Sequence, residues 1–437
     1  MQNTPVNRDI VKAKLAALNL SDMDKASIRE VVQVVNMIEA ETGIKYIRME
    51  MGVPGLPPAA VGVEAEIDAL KKGVASIYPN INGIPEIKTE AARFIKNFMN
   101  IDVKPEHCVP TSGSMQGTYA LFQVVSHLAE GRDTALFIDP GFPVQKQQFM
   151  VMGEKYESFD VYDYRGDKLH DKLESYLKKG NINSIIYSNP NNPTWVCFTE
   201  EELKTIGDLA NKYNIVVLED LAYLGMDFRK DLSKPGQAPF QASVANYTEN
   251  YVLFISASKI FSYAGQRIAI VAMSDKIFNS NSAQLEERFK IKGFGNAVIY
   301  RVLYALSSGV AHSVQYGMAA MLKAANNGTY NFVGDVKTYA DKAHVMKNLF
   351  LDNGFEILYD KDVDQLISDG FYFTICYPGM KAADLLYELL FYGISGITLL
   401  STGSTKEGIR ACVAPVHPDQ FDDLEARLKL FKANHPV

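Results

Sequence analysis

The sequence predicts an α/β fold, with a large domain built on a mainly parallel sheet between helices and a smaller α+β domain. The first observation is a series of five short apolar runs, ALFI (135–138), SIIY (184–187), IVVL (215–218), VLFI (252–255) and IAIVA (268–272), separated by helix-length stretches. Strands this uninterrupted in apolar character belong to a sheet covered on both faces, which is the signature of βαβ construction. The second is a change of pattern after about residue 325. A long helix near 335–350 is followed by strand-like FEILY and FYFTICY, a helical KAADLLYELLFYG and strand-like IRACVA. The third is size: 437 residues, 47% hydrophobic and 22% charged, suffice for one large domain and one small one.

In chain order, Ile28, Val31, Val32, Val35 and Ile38 fall at helical spacing, so an amphipathic helix is expected from Ser21 to about Glu41. MEMGVPGLPP (49–58) cannot continue it, because proline and glycine favour turns and extended chain. The expected division is therefore 1–51 as an N-terminal arm contributing to the small domain, 52–325 as the large domain and 326–437 as the small C-terminal domain. RKDLSKPGQAPFQASVANYTEN (229–250), polar and proline-bearing, reads as the longest surface excursion.

A net charge of -7 offers no basic face for nucleic acid or anionic lipid. Cys108, Cys197, Cys376 and Cys412 are far apart and form no C-x-x-C pair, so neither a metal site nor a disulfide framework is expected. The first residues contain acidic side chains and only short apolar runs, and no stretch reaches the length of a membrane span. The expectation is a cytoplasmic protein with no membrane and no nucleic-acid partner.

Four segments carry chemistry. TSGSMQGTYALFQVVSHL (111–128) is a turn running into a helix, whose first N–H groups, at Ser114, Met115 and Gln116, could hold a phosphate. It matches neither G-x-G-x-x-G nor a P-loop, which disfavours a nucleotide-binding oxidoreductase. SNPNNPTWVCFTEEEL (188–203) follows the run SIIY, and ligands in such sheets sit at strand carboxyl ends, so Asn189 and Asn192 are placed where one would bind. In IVVLEDLAYLGMDF (215–228), Asp220 follows an apolar strand, where a carboxylate needs a partner, and Tyr223 lies just beyond. Glu219 points the other way in an extended chain. YVLFISASKIFSYAGQRIAIVA (251–272) places Lys259 between two buried strands, surroundings that favour the neutral, nucleophilic amine. Arg267, with Ser256 and Ser258, could neutralise the phosphate.

Taken together and in this order, SGSMQGT, SNPNNPT, EDLAY, SASK and GQR resemble the class I/II aminotransferases of pyridoxal 5′-phosphate (PLP) fold type I. The likeness runs from about Met51 to Ala272, and IRACVA extends it toward the C-terminus. The resemblance implies Lys259 as the Schiff-base lysine, Asp220 as partner of the pyridine nitrogen, and Tyr223 and Asn192 on the phenolic oxygen. It implies Ser114, Met115, Ser256, Ser258 and Arg267 around the phosphate, and Phe142 stacked on the ring. Tyr78 resembles the tyrosine that reaches the phosphate of a second subunit, implying a homodimer with shared active sites. Arg410 and Gly52 correspond to the residues that hold the substrate α-carboxylate, Arg410 through the planar fork that matches a carboxylate in two parallel bonds. Two departures stand out: Trp195 where the family has glycine after Asn-Pro-Thr, and Phe142 in place of the more frequent tyrosine.

The implied activity is transfer of an amino group between an L-amino acid and a 2-oxo acid through PLP, with ping-pong kinetics. A carbon-sulfur β-lyase or an amino-acid decarboxylase would use the same residues. A non-catalytic ligand sensor is disfavoured by the absence of a basic helix-turn-helix segment before Met49. His312, Arg301 and Tyr372 are candidate selectors of the substrate side chain.

Overall fold

The computed structural model describes residues 3–436, which divide into two compact units. One comprises Leu56–Asn191 and Cys197–Val336; the other comprises residues 3–55, Asn192–Val196 and residues 337–436. The chain thus changes unit at 55/56 and 336/337, where the sequence suggested 51/52 and 325/326, and a short excursion at 192–196 belongs with the chain ends. The later break arises because His312–Asn326 packs against the helices Ala60–Lys71 and Pro85–Met99 and stays with the larger unit.

The larger unit is built on a seven-stranded sheet. Its strands are β1 (Cys108–Thr111), β2 (Thr134–Asp139), β3 (Lys155–Asp160), β4 (Ile182–Ser188), β5 (Val216–Asp220), β6 (Tyr251–Ser256) and β7 (Ala269–Met273). Their order across the sheet is β1-β7-β6-β5-β4-β2-β3, and β7 alone runs antiparallel to both neighbours. The five apolar runs are β2 and β4 to β7, as the sequence predicts. The two strands it does not predict are the edges. β1 is short and carries Pro110, and β3 (KYESFD) is polar, with exposed and half-buried positions through its first four residues. Edge strands are where such residues are tolerated, because one flank needs no hydrogen bonds.

Helices between the strands cover the sheet. Gly113–Val125 lies across β6 and β7 so closely that a Cβ on Gly117 would sit 2.7 Å from Val271 Cγ2. Leu121, Val124 and Val125 on this helix form one apolar cluster with Phe254, Val271 and Val298. Glu200–Tyr213 opens with a capping box, Thr199 Oγ1 accepting from the Glu202 N–H while Glu202 returns the bond, which fixes where the loop after β4 ends. After β7, Phe294–Ala297, a π-helical turn Val298–Leu303 and Tyr304–Ser307 follow in succession.

The smaller unit carries a four-stranded antiparallel sheet of β8 (Glu356–Ile357), β9 (Tyr372–Cys376), β10 (Ile397–Thr398) and β11 (Ile409–Cys412), ordered β10-β11-β9-β8. Helices Thr338–Asp352, Ala382–Phe391 and Phe421–Asn434 belong to it, matching the predicted α+β character. The amphipathic helix is Ile28–Thr42, not Ser21 to Glu41, because Ser27 caps it, and a separate helix, Arg8–Ala17, precedes it. Its buried stripe is Val31, Val34, Val35 and Ile38, whereas Val32 is only half-buried.

Candidate active site

The sheet register brings the chemistry-bearing segments of the larger unit to one edge. Ser188, Asp220 and Phe254 stand in one row at the carboxyl ends of β4, β5 and β6. Because β7 runs the other way, its first residue, Ala269, pairs with both Ser256 of β6 and Thr111 of β1. The loops that start at Asn189, Leu221 and Ala257, the turn ending at Arg267 and the helix opening at Gly113 therefore all lie along the same end of the sheet, where α/β folds place ligands.

At one end of this edge is a cradle suited to an anion. Gly113 opens its helix with φ of +70°, and a Cβ there would lie 2.5 Å from Arg267 Nη2, so a glycine is what lets the guanidinium lie over the first turn. Arg267 is exposed; its Nη1 donates to Ala264 O at 2.9 Å and approaches Ser258 Oγ at 3.5 Å. No carboxylate among the described residues pairs with it. Ser256 Oγ accepts from the Ser258 N–H at 3.2 Å and starts the short helix Ala257–Ile260 that carries the half-buried Lys259. The Ser114 and Met115 N–H groups fall in the helix's first turn, which has no intrahelical acceptors. Gln116 is committed through its side chain: Oε1 accepts from the Ser112 N–H at 2.8 Å and Nε2 donates to Ser307 Oγ at 2.7 Å.

Further along, Asp220 is buried with only neutral partners. Oδ2 accepts from Gln145 Nε2 at 3.0 Å and Oδ1 from the Ala222 N–H at 3.2 Å. Burial outweighs these bonds and pushes the carboxyl up to about 6. No lysine or arginine among the described residues pairs with it. Tyr223 is buried just after it. Gln145 lies on Pro143–Met152, the helix that Phe142 precedes; Phe142 is half-buried, and its ring meets no other aromatic ring among the described residues. A role for Gln145 was not legible, since nothing in PVQKQQ distinguishes one glutamine from the next.

Glu219 faces away from Asp220, as strand alternation requires. It is fully buried, accepts from Tyr187 Oη at 3.2 Å, from Ser243 Oγ and from the Val244 N–H at 3.3 Å, and burial pushes it up to about 7. It anchors the far end of the 229–250 excursion. Asn189 also plays a structural part instead of the ligand-facing one its sequence position suggested. It is 1% exposed, its Oδ1 accepts from the Phe198 N–H at 3.2 Å, and its N–H donates to Asp220 O, because the loop after β4 turns back on itself there.

The smaller unit holds the opposite charge. Arg410 on β11 is 2% exposed and has no carboxylate partner among the described residues. Nη1 donates to Asn192 Oδ1 at 3.4 Å, Nη2 donates to Glu50 O, Cζ stands 4.7 Å from the centre of the Tyr372 ring, and Nε is buried without an acceptor. The nearby Glu50 carboxylate is engaged elsewhere, with Arg48 Nε at 2.8 Å and Ser395 Oγ at 2.6 Å. A Cβ on Gly52 would lie 2.1 Å from Tyr372 Oη, so only glycine fits against that tyrosine. Trp195 adopts φ of +65°, the left-handed conformation a glycine would take freely and that costs another residue about 1–2 kcal/mol. Its indole is fully buried, donates to Ser368 Oγ at 3.0 Å and lies against Gly370.

Of the three candidate selectors, Tyr372 alone contacts Arg410. Arg301 donates to the carbonyls of Phe289 and Tyr300, at 2.7 and 3.1 Å, and His312 Nδ1 lies 3.1 Å from Ile77 O. Tyr78 is 91% exposed.

The family model for aminotransferase class I and II matches residues 44–428. A probable aspartate aminotransferase of Methanocaldococcus jannaschii is 25% identical over 295 residues, which span 68% of this chain and 72% of that protein. Among solved structures, a double mutant of Thermus thermophilus aspartate aminotransferase superposes with a TM-score of 0.74 at 16% identity, over 96% of this chain and 98% of that one. An alanine aminotransferase from Pyrococcus furiosus gives 0.76 at 18% identity, over 95% and 99%. No helix among the described residues is long and apolar enough to cross a membrane.

Proposed function

Because the chain belongs to the class I and II aminotransferases, which depend on PLP, we propose that it moves an amino group between an L-amino acid and a 2-oxo acid, with Lys259, Asp220 and Arg410 as the central groups. The observation that carries this reading is a pair of uncompensated buried charges: the Asp220 carboxylate with only neutral donors, and the Arg410 guanidinium with no anion. A buried charge left alone is costly, so each is explained by a ligand of opposite sign. A pyridinium N–H suits the first and an α-carboxylate the second.

The residues present fit the cofactor. Asp220 would hold its ring nitrogen, Phe142 would cover a ring face, and Tyr223 and Asn192 would bond its phenolic oxygen. Ser114, Met115, Ser256, Ser258 and Arg267 would hold the phosphate; Gln116 would contribute only its backbone, since its side chain is already bonded. When bound, PLP supplies an electron sink for the charge left at the substrate Cα. Asp220, kept ionised by a cationic partner, would hold a proton on the ring nitrogen. Lys259 Nζ would hold the cofactor and would serve as the base that takes the proton from the substrate Cα. Arg410 and the backbone at Gly52 orient the substrate by its carboxylate. In this reading the larger unit is the cofactor domain and the smaller one the substrate-carboxylate domain.

Tyr78, with Ile77 and Leu70, exposes apolar surface around one cavity also lined by Ala311 and His312. That surface supports a homodimer with shared sites, which a monomeric mass by light scattering would exclude. The spacing of the four cysteines supports a cytoplasmic location, to be checked by fractionation. Nothing in the site or in the named relatives favours the β-lyase or decarboxylase alternative. Amino acids screened as donors to 2-oxoglutarate, followed by the absorbance of the bound cofactor, test the function; release of pyruvate and ammonia without amino transfer would overturn it.

A further inference from the structure

We propose that Trp195 is a positioning residue that fixes the orientation of Arg410 by bracing Tyr372; the proposal rests on reading Arg410 as the carboxylate-binding residue. The segment carrying Trp195 meets Arg410 at two points. Directly, Asn192 Oδ1 accepts from Nη1 at 3.4 Å. Indirectly, the indole edge meets the Tyr372 ring, with centroids 6.2 Å apart and planes at 64°, and that ring lies under the guanidinium, 4.7 Å from Cζ.

The indole cannot drift from this position. Its Nε1–H is bonded to Ser368 Oγ at 3.0 Å, and Gly370 is pressed so closely that a Cβ there would lie 2.1 Å from Trp195 Cε2. Tyr372 is equally confined, since its hydroxyl abuts Gly52. A tryptophan kept in a left-handed conformation is retained only if its surroundings over-determine it. Here those surroundings form a chain of contacts from Ser368 and Gly370 through the indole and the phenol ring to the guanidinium. A guanidinium is useful as a carboxylate fork only when its plane is held, because both parallel bonds depend on that plane. A glycine at 195 would keep the turn and leave Tyr372 unsupported on that side.

The α-carboxylate is common to every amino acid and 2-oxo acid, which separates bracing from direct contact with the substrate side chain. Steady-state kinetics of the PLP-loaded enzyme should show Trp195→Gly raising KM by one common factor, about tenfold, for 2-oxoglutarate and for every donor that supports turnover. The kcat should stay within about threefold and the absorbance of the bound cofactor should be unchanged. Combined with Arg410→Lys, the tryptophan change should add little, because both act on one interaction. Factors that differ between acidic and apolar donors, or a fully additive double variant, would overturn the proposal. If Arg410→Lys alone leaves every KM unaltered, the carboxylate reading has failed, and with it the basis for the brace. Should the glycine variant not fold, Trp195→Phe keeps a ring against Tyr372 while losing the bond to Ser368. It should then raise KM by a smaller common factor, and no rise at all would overturn the proposal.

Discussion

Replacing Asp220 with asparagine should stabilise the cofactor-free protein while weakening the cofactor's hold. In the folded chain the carboxyl sits at about 6, against 3.8 for an ordinary aspartate, because burial outweighs the bonds from Gln145 and the Ala222 N–H. At 1.36 kcal/mol per pH unit, keeping it ionised above pH 6 costs the folded state about 3 kcal/mol. For an acid whose value is raised on folding, the penalty is absent at low pH, where folded and unfolded chains are both protonated. It grows from about pH 4 to pH 6 and is complete above that. The amide substituent is nearly isosteric; its oxygen can accept from the Ala222 N–H, and its NH2 can donate to Gln145 if that side chain reverses its own amide. The variant without PLP should therefore gain about 3 kcal/mol at pH 7.5, or about 3 °C in Tm for a chain of this length. At pH 4.5 the gain should shrink to about 1 kcal/mol. With PLP the sign turns, because the cation that justified the buried carboxylate has lost its partner; affinity should fall on the order of 100-fold. Thermal melts at the two pH values, with and without PLP, measure all of this. A cofactor-free variant that melts no higher than the parent at pH 7.5, or gains as much at pH 4.5, would refute the claim that Asp220 is a buried charge awaiting a cation.

Lys259→Ala should abolish the absorption band of the lysine-bound cofactor together with turnover, so a yellow, active variant would remove Lys259 from its role. In Arg410→Lys the bidentate fork is lost, and KM for amino acid and 2-oxo acid should rise by roughly 10- to 100-fold with a smaller change in kcat; unchanged KM would take Arg410 out of the site. Arg267→Ala should weaken PLP by on the order of tenfold or more while leaving unphosphorylated pyridoxal almost unaffected. Equal losses for the two ligands in a binding titration would mean that the guanidinium does not read the phosphate.

How much of this was legible depended on whether a residue's job is local or relational. The apolar strands could be read directly, because burial on both faces leaves no charged position in β5 until Glu219 and Asp220 at its end, and none in β6, which ends at Ser256. Polar β3 could not, since at a sheet edge its residues obey solvent and not the core. Lys259, Arg267 and Gly113 belong to short local patterns, and the register of three strands then collects them. Gln145 was invisible because its role is set by a helix packing 75 residues before the carboxylate it serves. Asn189 misled for the opposite reason: its position is right for a ligand, but its amide closes the loop it sits in. Trp195 announced itself only as an oddity, and its left-handed backbone explains why a glycine would have been unremarkable there.

The reversed strand β7 has a consequence for how this fold can vary. A parallel neighbour would have begun at the opposite rim, after a connection that crosses the face of the sheet. Reversal keeps the connection 257–268 at one rim, so amine and guanidinium are carried by the same stretch of chain, and Arg267 takes a left-handed conformation in its turn. Because both charges are carried by this one connection, added or missing residues within it would shift one against the other, whereas the excursion after β5, which carries neither, can change length without disturbing either.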